Sequence, residues 1–159
     1  MSGSSAVARR QFLDLGIAAP TSEVFAALCK TLAFRRWHRI EPDSSFVPAS
    51  GSRYAYQTGS VIRSGRIVEV LRPVSMTLKE VLHDPPCRVA LTMRWRIEPL
   101  STGCAVCLRA EYRLNHASAF RSRHWERRLA RHFRNQFTFL LRNLRVPVAV
   151  CRSRAQNVS

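Results

Sequence analysis

The sequence predicts an α+β domain in which a curved antiparallel β-sheet packs against one long C-terminal helix. Three observations carry that expectation. Residues between Phe46 and Leu114 alternate apolar and polar with a period of two. After Asn115 the period becomes helical and stays so to about Arg145. A sheet with one apolar face and a helix with one apolar stripe must then bury those surfaces against each other.

The elements follow in order. Residues 1–8 are small and polar, which predicts a loose N-terminal tail. Gln11 to Ala19 reads as a strand with Leu13, Leu15 and Ile17 on one face, ended by Pro20. Thr21 or Ser22 is placed to cap a helix with Val24, Phe25 and Leu28 inside, and Leu32 to His38 reads as a second short helix.

A meander follows, and its turns set a register. A turn at Arg72–Ser75 places Leu71 opposite Met76 and Ile67 opposite Glu80. A turn at His83–Arg88 sets Leu82 opposite Val89, and one at Glu98–Ala105 sets Ile97 opposite Val106. One side then carries Ile67, Glu69, Leu71, Met76, Leu78, Glu80, Leu82, Val89, Leu91, Met93, Trp95, Ile97, Val106, Leu108, Ala110, Tyr112 and Leu114. The other carries Arg66, Lys79, Arg94, Arg96, Arg109, Glu111 and Arg113, so a slip of one residue would drive charges into the core.

On the last helix Trp125, Leu129, Phe133, Phe137, Leu140 and Leu144 form the stripe, with Arg123, Arg127, Arg131, Arg134, Arg142 and Arg145 opposite; Pro147 stops it. No linker or repeat divides the chain, so residues 9–150 are expected to form a single domain and 151–159 a C-terminal tail.

The 159 residues suffice for one domain with its own core, and a 46% hydrophobic content is that of a globular chain. Lysine and arginine number 26 against 10 acidic residues, a formal charge of +16, and only Lys30 and Lys79 are lysines. Such a field attracts polyanions and predicts weak, salt-dependent binding to nucleic acid or anionic membrane, with the arginine face of the last helix as the candidate surface. Cys29, Cys87, Cys104, Cys107 and Cys151 are odd in number and scattered, the N-terminus has no apolar signal region, and no uncharged run is long enough to span a bilayer. A cytoplasmic protein with reduced thiols is the expectation.

Motif chemistry is sparse. Cys104-Ala-Val-Cys107 has the spacing of a redox or metal motif but lacks a second pair. His38, His83, His116, His124 and His132 show no ligand spacing, so no metal and no cofactor is expected, and Walker A, GxGxxG and GxSxG motifs are absent. Glu69 and Glu80 break the apolar pattern of the inner face. Desolvation there would raise their pKa values and suit either to acid–base work, unless they pair with an inward arginine such as Arg63 or sit at a wet cavity rim. Glu126 and Gln136 interrupt the helix stripe in the same way. Trp37, Tyr54, Tyr56, Trp95 and Tyr112 are candidates to line a pocket or to fill a core.

Three stretches carry a family resemblance. "IAAPTSEVFAALCKTLAFRRWH" resembles the opening of START-like (SRPBCC, helix-grip) domains, "GRIVEVLRPVSMTL" their central hairpin, and "WRIEPLSTGCAVCLRAEYRL" the hairpin after it; the similarity runs from about Arg10 to Pro147. The resemblance implies a helix-grip fold, a curved sheet wrapped around the C-terminal helix with two short helices after the first strand. It also implies a cavity of several hundred cubic ångströms for an apolar small molecule or lipid. Its expected walls are Trp37, Tyr54, Tyr56, Glu69, Glu80, Met93, Trp95, Ala110, Tyr112, Phe133, Gln136, Phe137 and Leu140. Relatives of this kind include polyketide cyclases or aromatases, for which Glu69, Glu80 and Tyr112 are the catalytic candidates here, and proteins that bind or transfer lipids.

Overall fold

A computed structural model describes residues 7–36, 49–58, 60–85, 87–115, 119–144 and 152–157. Of Val7, residues 31–36, Tyr56, Thr58, Ala119, Phe120 and 152–157 only the backbone is described. The element order is β1 (Val7–Ile17), α1 (Thr21–Arg36), β2 (Arg53–Thr58), β3 (Val61–Leu71), β4 (Ser75–Asp84), β5 (Cys87–Leu100), β6 (Gly103–Asn115), α2 (Ala119–Leu144) and β7 (Arg152–Asn157). The strands form one antiparallel sheet in the order β2-β3-β4-β5-β6-β1-β7, with α2 and α1 together on its inner side.

The alternation along β4, β5 and β6 sets their burial. Met76, Leu78, Leu82, Val89, Leu91, Met93, Trp95, Ile97, Val106, Leu108, Ala110, Tyr112 and Leu114 are buried. Leu82 pairs with Val89 and Ile97 with Val106, as expected, and both hairpins extend further, to Asp84↔Cys87 and Leu100↔Gly103. Gly103 closes the second of these at φ +118°, where a Cβ would press on the Ile17 carbonyl. Phe133, Phe137 and Leu140 of α2 close the core from the other side, with Trp95 and Phe137 ring centroids 5.3 Å apart. Arg123, Arg127, Arg131, Arg134 and Arg142 are exposed.

The β3–β4 register departs from expectation. The turn spans three residues, Arg72–Val74, so Leu71 pairs with Ser75 rather than Met76. A bulge between Ile67 and Glu69 then absorbs one more residue, and Ile67 pairs with Leu78 while Gly65 pairs with Glu80. Ile67 stays inside, but Glu69 and Leu71 face solvent and Val70 takes the inner place beside the turn.

Two boundaries also differ. α1 runs unbroken to Arg36, so the residues from Leu32 continue the first helix instead of opening a second; Trp37 and His38 lie outside the described residues. Residues 152–157, expected within a tail, pair with β1 from Arg9↔Asn157 to Asp14↔Arg152. β1 itself begins at Val7.

Candidate ligand-binding site

The inner face of β2, β3 and β4 is the part of the core where polar groups gather. Tyr54, Gly65 and Glu80 are direct cross-strand partners on three neighbouring strands. At about 4.8 Å per strand the outer two Cα atoms lie on the order of 10 Å apart, too far for side chains that merely stand upright. The missing side chain at Gly65 resolves this. The Tyr54 ring lies flat across β3, and its hydroxyl donates to Glu80 Oε1 at 2.7 Å, with both residues buried. A Cβ at position 65 would come 2.5 Å from Tyr54 Cζ and 2.8 Å from Cε2.

One step along the same face, Arg63 is also buried and sits diagonally from Glu80 in the ladder. Its Nη1 lies 3.3 Å from His132 Nε2 on α2, and Gln136 Nε2 lies 3.1 Å from the same nitrogen. Both neighbours present N–H donors, which fits an imidazole accepting at Nε2 and carrying its proton on Nδ1. His132 and Gln136 meet because they are one helical turn apart. Two buried polar atoms in this interior, Gln136 Oε1 and Trp95 Nε1, have no hydrogen-bond partner among the described residues.

At the other end of α2, Tyr112 is buried opposite Arg9 of β1, and Arg9 Nε donates to Glu126 Oε1 at 2.8 Å. Burial, and after it the negative charge of Glu126, push the Tyr112 phenol up to about 12, with Arg9 pulling the other way. Glu126 thus bridges to β1 instead of joining the Tyr54–Glu80 group.

Of the three catalytic candidates the structure therefore places Glu80 inside, Tyr112 inside but toward the Arg9–Glu126 bridge, and Glu69 on the outer surface. Met93, Trp95, Ala110, Tyr112, Phe133, Gln136, Phe137 and Leu140 all come together, each retaining 0–2% of its surface exposed, so they form close-packed interior. Tyr56 lies on β2 opposite Arg63, and Trp37 falls outside the described residues. A groove of about 710 Å³ is present on the opposite, outer side of β2–β4, around Arg53, Arg66 and Lys79. Sequence reading did not single out His132 or Gly65. The available signals were the four-residue spacing of His132 and Gln136, and a glycine inside a strand.

The cysteine pair is explained by its strand. Residues three apart in β6 point to opposite faces, so Cys104 is buried while Cys107 faces outward, and the two cannot share a metal. Burial, with a hydrogen bond to Asp14, raises the Cys107 thiol to about 12. No group of three or more metal-ligating side chains occurs among the described residues.

A curved antiparallel sheet gripping a long C-terminal helix defines a helix-grip domain of the START-like, SRPBCC class. Residues 18–145 match the model of the Activator of Hsp90 ATPase homolog 1-like proteins, and the chain belongs to that family. Its fold is similar to Mll3558 from Rhizobium loti at 13% identity and a TM-score of 0.63, over 87% of this chain and 99% of the other. It is similar also to MLL2253 from Mesorhizobium loti, at 15% identity and 0.59 over 91% and 100% of the two chains. CalU16 from Micromonospora echinospora matches at 19% and 0.58, over 88% and 83%. Among curated proteins none matches the sequence. No helix among the described residues is long and apolar enough to cross a membrane.

Proposed function

We propose that the protein binds a small, mostly apolar molecule with one polar end between the inner face of the sheet and α2. The observation that carries this reading is the buried, unpartnered Gln136 Oε1 beside the Arg63–His132 cluster. A second buried group that has no partner among the described residues, Trp95 Nε1, lies further along the inner face against Phe137. Each such atom costs on the order of 1–3 kcal/mol when left without a partner. An acceptor needing a donor at Gln136 suits a hydroxyl or amide group on the ligand. The fold class, which typically binds small molecules, points the same way. Because the apolar side chains are close-packed, the ligand enters by parting α2 side chains from the sheet.

Binding is favoured over catalysis of the cyclase type because Glu69 is outside and Tyr112 lies toward the Arg9–Glu126 bridge, leaving the Tyr54–Glu80 pair as the acid–base equipment. The test is titration with an apolar fluorescent probe, alongside native mass spectrometry of the purified protein for a co-purifying molecule. The parent should bind the probe saturably at micromolar levels, and Ala110→Trp, which places an indole against Met93 and Gln11, should remove that binding. Because the interior is close-packed, Ala110→Trp should also destabilise by roughly 1–3 kcal/mol, and the absence of saturable probe binding by the folded parent would refute the reading.

A further inference from the structure

We infer a second binding site, on the outer face of β2–β4, for a compact polyphosphate group carried by a small molecule. Arg53, Arg66 and Lys79 are direct cross-strand partners, so three cations stand in one row at adjacent-strand spacing, all exposed. Like charges placed opposite each other destabilise a sheet. Elsewhere on this face the sequence relieves such crowding: Glu111 lies within 2.9 to 3.9 Å of Arg109, Arg10 and Arg94, and Glu98 lies 2.9 Å from Arg96. Among the described residues no carboxylate comes within ion-pair distance of Arg53, Arg66 or Lys79. Glu69, the acid on the outer side of β3, stands beyond the bulge opposite Thr77.

The cations border a shallow, open depression of about 710 Å³ whose floor is made of small side chains, with Ala55, Ser64 and Val81 as the adjacent cross-strand row. That volume falls within the range of small-molecule sites, roughly 300–1,000 Å³. Two guanidinium forks and an ammonium carried on one cross-strand row can reach the oxygens of a diphosphate, and the Ser64 hydroxyl adds a donor. The patch is also short. Its row continues from Lys79 to Thr92 and then to the acid Glu111, and the arginines of the next row, Arg94 and Arg109, are already paired with Glu111. Since β2 is the edge of the sheet, the unpaired charge suits a compact anion better than a polymer that runs on across the face.

The test compares two variants of equal charge in about 0.15 M salt, where the general field is screened beyond about 8 Å. One carries Arg53→Gln, Arg66→Gln and Lys79→Gln; the other carries Arg123→Gln, Arg127→Gln and Arg131→Gln on α2. Pyrophosphate is the probe, followed by calorimetry and by amide shifts at Ser64 to Arg66 and at Lys79. The groove variant should lose at least about tenfold in affinity and the helix variant less than about twofold. Equal loss in both variants, shifts that map away from the groove, or binding of single-stranded DNA or anionic vesicles without binding of pyrophosphate would each overturn the inference. All six positions are exposed, and circular dichroism of each variant confirms that the comparison is between folded proteins.

Discussion

Gly65→Ala tests the arrangement that organises the inner polar cluster. The added Cβ would come 2.5 Å from Tyr54 Cζ and 2.8 Å from Cε2, so the ring must lift and its 2.7 Å bond to Glu80 must break. A hydrogen bond to a charged group contributes roughly 1.5–3 kcal/mol. Replacing glycine in a strand returns roughly 0.5–1 kcal/mol. The expected net loss is about 0.5–2.5 kcal/mol, which lowers Tm by roughly 1–10 °C for a chain of this size. Calorimetric or denaturant unfolding of a double-mutant cycle reads the cause. In a Tyr54→Ala background the ring is gone, and Gly65→Ala should become neutral or slightly stabilising, a coupling of at least about 1 kcal/mol. In Tyr54→Phe the ring carbons remain, so Gly65→Ala should still clash. Additivity of Gly65→Ala with Tyr54→Ala, to within about 0.5 kcal/mol, would refute the reasoning.

Other expectations follow from the same geometry. The Tyr112 phenol should titrate near 12, read as the difference in absorbance between the parent and Tyr112→Phe. Because its folded pKa is raised, the group leaves stability untouched below about pH 10 and withdraws it between about pH 10 and 12, as the unfolded chain loses the proton first. Removing the Glu126 charge with Glu126→Gln should lower that midpoint, and Arg9→Ala should raise it. Cys107, despite its partial exposure, should alkylate on the order of 100-fold or more slowly than a free thiol at pH 8, measured by peptide mass spectrometry, because little thiolate is present. Asp14→Asn should speed it several-fold without restoring free-thiol reactivity, since burial is the larger cause. Phe133→Ala, which empties a fully buried position, should cost about 3–5 kcal/mol in denaturant unfolding.

The sequence by itself determined the α+β class, the pairing of β4, β5 and β6, and the buried stripe of α2. In those elements charge and apolarity alternate so strictly that any slip would bury arginines such as Arg94, Arg96 and Arg113. β3 has no such safeguard. Its residues Ser64, Gly65, Val68, Glu69 and Val70 present similar apolar area in either phase, so the face of Glu69 was decided by a turn one residue shorter than expected and by the bulge that follows it. β7 carries a polar sequence with no strand signature, and its pairing depends on the edge that β1 offers. The polar cluster likewise belongs to the tertiary structure. Tyr54 reaches Glu80 only because Gly65 lies between them, and Arg63 meets His132 only once α2 lies across the sheet, contacts between residues 26 and 69 positions apart that no local pattern encodes.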